Sequence, residues 1–114
     1  MNTYETVFIA SPLLAESALA DLFGKFQGLL TENGANVEHT EAWGLRQLAY
    51  PIQKKSTGYY FLMQFSAENG SIVEELETAY RRNEHVIRFL TFRLDKHSIE
   101  YAAKRREKLN PKNN

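Results

Sequence analysis

The stretch Trp43-Gly44-Leu45-Arg46-Gln47-Leu48-Ala49-Tyr50-Pro51-Ile52, followed closely by Gly58-Tyr59-Tyr60-Phe61-Leu62-Met63-Gln64-Phe65, decides the fold. The second run is aromatic, unbroken and opened by a glycine, which is the pattern of a strand. The first is half strand and half turn. Pro51 withholds one N–H from any ladder and so belongs at a strand's end or on a sheet edge. Between the runs, Gln53-Lys54-Lys55-Ser56-Thr57 reads as a polar loop, so the two form an antiparallel pair. Neither strand holds a group suited to catalysis, and the pair reads as a surface for contact.

Elements of both kinds flank this pair. Tyr4 to Ala10 is a β-type run ended by Ser11-Pro12. Leu19, Leu22, Phe23, Phe26, Leu29 and Leu30 recur at helical spacing, which predicts an amphipathic helix from about Ala15 to Asn33. Gly34 stands where a left-handed cap would stop it. Gly24 and Gly28, four apart inside the helix, are expected to permit close packing against a strand. Val37 to about Leu48 and Gly58 to Phe65 are the second and third strands. Ser71-Ile72-Val73-Glu74 predicts a capping box, and Ile72, Val73, Leu76, Ala79 and Tyr80 form the inward stripe of a second helix. Val86 to Leu94 is the fourth strand.

The order β-α-β-β-α-β, with right-handed crossovers, predicts an α+β, ferredoxin-like sandwich: a four-stranded antiparallel sheet with two helices on one face. The second and fourth strands become the edges. The third strand is apolar on both sides, Tyr59, Phe61, Met63 and Phe65 alternating with Tyr60 and Leu62. In the fourth, Val86, Leu90, Phe92 and Leu94 are expected on one side and Ile87 and Phe89 on the other. The helix-free face is therefore expected to stand partly in water and to await a partner. The second strand, an edge, carries His39, Glu41, Arg46 and Gln47 with Trp43 and Tyr50, the mixed aromatic and charged composition that interfaces favour.

Composition narrows the function. One domain is expected from 114 residues, and the charged fraction of 25% is ordinary. The absence of cysteine removes disulfides, thiolate metal sites and cysteine nucleophiles. No apolar run reaches membrane-spanning length and no signal-peptide pattern opens the chain, so a cytoplasmic location is expected, without a membrane partner. The zero net charge hides an asymmetry. Lys96, Lys104, Arg105, Arg106, Lys108 and Lys112 are accompanied after Asp95 by only Glu100 and Glu107. Residues 96–114 are thus net +4, a basic extension, on a domain of residues 1–95 at net −4.

Enzymatic chemistry finds no footing. His39, His85 and His97 lack metal-ligand spacing, and no metal or cofactor site is expected. Ser11 and Ser98 have no nucleophile-elbow context, and the glycines do not form a phosphate loop. An acylphosphatase on this topology would need an arginine in the loop after the first strand, where Ser11-Pro12-Leu13-Leu14-Ala15-Glu16 has no base. An RNA-recognition motif shares the element order, but Thr57 stands where its third strand has a basic residue. The remaining chemistry is phosphate contact through Arg46, Lys54, Lys55, Arg88 and Arg93, with Tyr4, Tyr50 and Tyr59 able to stack or hydrogen-bond.

Tyr4-Glu5, the block Trp43-Gly44-x-Arg46-Gln47-Leu48-Ala49-Tyr50-Pro51-Ile52-x-Lys54, and Glu75-Leu76-Glu77 followed by Val86-Ile87-Arg88 resemble the bacterial small-subunit ribosomal protein six family. The resemblance spans Tyr4 to about Leu94; Gln53 departs from the family's usual basic, small or asparagine residue. It implies a ferredoxin-like fold and no catalysis, cofactor or small-molecule substrate. It further implies binding to the central domain of small-subunit ribosomal RNA as a heterodimer with small-subunit ribosomal protein eighteen. On that reading Arg46, Lys54, Arg88 and Arg93 contact RNA, supported by Tyr4 and Tyr50, while Glu41, Trp43 and Arg46 meet the protein partner. The alternative is a non-ribosomal regulatory or RNA-recognition-type binding module of the same topology.

Overall fold

Six elements follow one another in the computed structural model, which describes residues 2–52 and 55–95. They are β1 (Asn2–Ala10), α1 (Glu16–Glu32), β2 (Asn36–Ile52), β3 (Lys55–Ala67), α2 (Ser71–Arg82) and β4 (Val86–Leu94). The strands form one antiparallel sheet in the order β2-β3-β1-β4. β2 and β4 are its edges, as two right-handed crossovers demand. The ferredoxin-like architecture expected from the sequence is the one observed.

Both helices bury their apolar stripes against one face. Tyr4, Phe8 and Ala10 of β1 and Phe61, Met63 and Phe65 of β3 meet Leu19, Leu22, Phe26 and Leu30 of α1 and Ile72, Leu76 and Tyr80 of α2. Phe8 is central, its ring 5.1 Å from those of Phe26 and Phe61 and 5.2 Å from that of Tyr80. Burying one such ring contributes about 1.5–3 kcal/mol. The Tyr80 hydroxyl inside this core is satisfied: it lies 3.0 Å from Thr6 Oγ1, which lies 2.7 Å from Thr91 Oγ1. The chain of hydroxyls ties α2 to β1 and β4.

Helix α1 stops as expected, because Gly34 adopts a left-handed φ of 85°. The Ala35 N–H then reaches the Leu30 carbonyl (2.9 Å) and the Gly34 N–H that of Thr31 (3.2 Å), a complete Schellman closure. The expected capping box of α2 does not form. Ser71 is already inside the helix, Gly70 holds the cap position without a side-chain bond, and the Asn69 carboxamide accepts the Ser71 N–H at 3.0 Å. An Asx turn one residue earlier has taken over the task. The close packing expected at Gly24 and Gly28 is also absent: a Cβ at Gly24 would meet nothing, and one at Gly28 only the Glu32 carboxylate at 3.9 Å.

The β2–β3 hairpin is longer and tighter than its sequence suggested. Lys55, Ser56 and Thr57 belong to β3, and Ile52 pairs with Lys55. β2 runs through Pro51 because its ladder is irregular there, with register shifts at Val37/His39, Ala42/Gly44 and Gln47/Ile52. Gly44, at φ 79°, supplies the left-handed residue of the second shift. Gly58 is a true close approach, since a Cβ there would strike Ile9 and stand 3.2 Å from the Ala10 carbonyl.

The helix-free face, expected to stand partly in water, exposes less apolar surface than its sequence suggests. Its middle is buried: Leu62 is 1% exposed, and Glu5, Gln64, Ser66 and Leu94 are buried too. At one end Leu48 packs on Ile9 and Ile87, with Tyr60 beside them. Among the described residues, the exposed large apolar groups on this face are at the β4 edge, Leu90 (61%) and Phe92 (41%). β4 also departs from strict alternation. A register shift opposite Ile9/Ala10 puts Ile87 with Leu90, Phe92 and Leu94 on the helix-free side, and Val86 with Phe89 on the helix side.

Candidate nucleic-acid and protein interface

The edge strand β2 carries a constellation that its irregular register builds. The shift at Val37/His39 lets Glu38 and His39 both serve the helix-free side, where Glu38 accepts a bond from the Gln64 carboxamide at 3.1 Å. Glu41 then binds in two directions. One carboxylate oxygen lies 2.7 Å from His39 Nε2 and the other accepts the Trp43 indole N–H at 2.6 Å. The indole, so fixed, lies on the Tyr60 ring with 6.0 Å between centroids and 9° between planes. Three side chains at alternate positions of an edge strand are thereby held as one rigid, half-buried stripe of acid and aromatic character. Rigid aromatic groups of this kind anchor protein contacts at low entropic cost.

The basic residues are not gathered into one patch. Arg46, cross-strand from Gly58, and Arg88, cross-strand from Ile9, are exposed on the helix-free side at opposite edges. Three strand spacings, about 14 Å, separate those edges. Arg93 is exposed too, but opposite Tyr4 and hence on the helix-bearing side. Arg46 lies beyond the Gly44 bend from Glu41 and Trp43 and is not bonded into their stripe. Lys54 and the Tyr50 side chain fall outside the described residues, as does the 96–114 extension.

Tyr4 is a correction. It stacks on Phe65 at 5.4 Å within the helix-covered core and is 7% exposed, so its ring is closed to a base. The error has a simple source: Tyr4 and Glu5 alternate, and only the burial of Phe8 and Ala10 at the same parity tells which of them faces the helices. Sequence reasoning also passed over Tyr60 as the seat for Trp43, and it placed His39 on the same edge without naming it among the partner-contact residues. The i, i+2, i+4 spacing of His39, Glu41 and Trp43 was the available signal.

Among the described residues no helix is long and apolar enough to cross a membrane, and no group of three His, Asp or Glu side chains is arranged to hold a metal ion. The β2 edge groups hydrogen-bonding and aromatic side chains, and the β4 edge exposes apolar and basic ones.

Known proteins agree. Residues 3–93 match the family model of ribosomal protein S6. The chain is 58% identical over 106 residues to the small ribosomal subunit protein bS6 of Porphyromonas gingivalis, covering 93% of this chain and 90% of that one. It is 56% identical over 106 residues to the bS6 of Phocaeicola vulgatus, covering 93% and 92%. The crystal structure of 30S ribosomal protein S6 from Thermotoga maritima superposes with a TM-score of 0.79 at 28% identity, over 96% of this chain and 98% of that one. These relatives are structural ribosomal components and not enzymes. With a sandwich of this topology and sequence agreement along nearly its whole length, the chain belongs to the ribosomal protein S6 family.

Proposed function

We propose that this member of the ribosomal protein S6 family works in the cytoplasm within the small ribosomal subunit, binding the central domain of its RNA as a heterodimer with small-subunit ribosomal protein eighteen. The observation that carries the heterodimer is the dispersal of its positive charge. Residues 1–95 are net −4, and Arg46, Arg88 and Arg93 point from two edges and two faces. Such a body has little sequence-independent pull on a polyanion, since that term scales with the phosphates neutralised together. A basic partner seated on an acidic, aromatic stripe provides the missing charge, and the Glu41-held Trp43 on β2 is the seat this chain offers.

On this reading Arg46 stands where protein and RNA meet, while Arg88 contacts phosphate on the helix-free side and Arg93 on the helix side. Lys54 and Tyr50 extend the RNA contact, and residues 96–114, net +4, add non-specific attraction. Co-sedimentation tests the assignment. The chain, added to small subunits depleted of their own copy, should travel with them at moderate salt and be retained when free RNA is washed away. A chain that stays at the top of the gradient with or without the partner protein would overturn it.

A further inference from the structure

On the helix-free side β4 presents, at alternate positions, Arg88, Leu90 and Phe92, all exposed. Alternate residues stand about 6.6 Å apart along a strand. The corresponding positions of the inner strands are closed: Leu62 and Gln64 of β3 and Glu5 of β1 are buried. Sheets of this element order that recognise RNA stack bases on aromatic side chains of their inner strands. Here the exposed ring has moved to the edge. Phe92, cross-strand from the buried Glu5, keeps 41% of its surface in water, and Leu90 beside it 61%.

We infer that Phe92, flanked by Leu90, is a platform on which one unpaired base of an RNA strand stacks, with Arg88 on the phosphate beside it. The inference rests on the RNA-binding reading and adds to it a residue outside the basic set. Charge chooses RNA over a protein strand as occupant. On this side of β4 the exposed charge is that of Arg88, while the Glu5 carboxylate across from Phe92 is buried; Arg93 lies on the other face, and Glu84 and Asp95 lie beyond the strand's ends. The register shift at Ile9/Ala10 also shortens the flat ladder edge on which an added protein strand would pair. A ring with one arginine further along the same strand face suits a base and a neighbouring phosphate, because base–aromatic stacking tolerates any base and the arginine supplies the ionic term.

The test uses the full chain with its partner protein and central-domain RNA. Phe92→Ala should weaken RNA binding about 5- to 150-fold, the range for losing one stacking ring, and leave the salt dependence unchanged. Phe92→Trp should restore affinity, whereas Phe92→Leu, which keeps apolar area without a π face, should not. Thermal melts of the free variants should stay close to wild type, because the ring is on an exposed edge. Wild-type affinity for Phe92→Ala, in a series where Arg88→Ala does weaken binding, overturns the platform and leaves the RNA reading standing. Absence of RNA binding by the wild-type pair overturns both. If Phe92→Ala weakens the pairing of the two proteins without RNA, the surface belongs to a protein and the inference is wrong.

Discussion

The indole of Trp43 lies nearly parallel to the ring of Tyr60, 9° apart at 6.0 Å, and is pinned there by the Glu41 carboxylate. Two contacts fix the indole, the Glu41 carboxylate on its N–H and the Tyr60 ring against its face, beside the register shift at Ala42/Gly44 where Gly44 adopts φ 79°.

In the heterodimer proposed above, Trp43→Ala should reduce affinity for ribosomal protein eighteen by about 2 kcal/mol or more, as loss of a central aromatic anchor does. Glu41→Ala should reduce it by about 1–2 kcal/mol, by freeing the indole and leaving its N–H unpaired. Both act through one constellation, so the double variant should lose little more than Trp43→Ala alone. Calorimetric titration of the partner into each variant measures this; fully additive losses would show that the stripe is not a unit.

The two helical glycines give a stability prediction of opposite sign from that at Gly58. Gly24→Ala and Gly28→Ala meet no steric obstacle on α1 and should each stabilise the chain by up to about 1 kcal/mol. Gly58→Ala forces Ile9 aside and presses on the Ala10 carbonyl, and should destabilise by about 1–3 kcal/mol. Urea denaturation of the three variants gives the signs directly, and a destabilised Gly24→Ala would mean that α1 has a packing partner on that side.

Tyr80 sets an alkaline limit on stability. Burial raises its pKa above the ordinary 10.0, the Thr6 hydroxyl bond lowers it in part, and nearby Glu77 raises it further. A raised value in the folded state means that folding favours the neutral phenol. The contribution is complete below pH 10, the unfolded value, and declines as the pH climbs above it. Tyr80→Phe should cost about 1 kcal/mol at neutral pH, since Thr6 keeps its bond to Thr91, and should flatten the decline above pH 10. Melting temperatures of the two proteins at pH 8 and pH 11 test it; parallel losses would place the alkaline sensitivity elsewhere.

How far the sequence could be read depended on where regular periodicity held. Along β3 the alternation of Tyr59, Phe61, Met63 and Phe65 against Tyr60 and Leu62 is unbroken, and the structure repeats it. In α1 the spacing of Leu19, Leu22, Phe26 and Leu30 named the buried stripe, and Gly34 its end. The readings that failed lie at irregularities. One extra residue at the start of β4 exchanged the faces of Val86 and Ile87, and shifts in β2 interrupt its pairing at both ends of the regularly spaced His39, Glu41 and Trp43. Tyr4 failed differently: alternation alone leaves open which parity faces the helices. The spread of Arg46, Arg88 and Arg93 over edges and faces is a property of strand order, which charge counting along the chain does not see.

The central claim is that this chain reaches RNA through a partner. Mobility-shift titrations of a central-domain fragment of small-subunit ribosomal RNA, with this protein alone, with ribosomal protein eighteen alone and with both, test it most directly. The account predicts weak binding by this chain alone and tight binding by the pair, at least tenfold stronger at physiological salt. Equal affinity with and without the partner would contradict it.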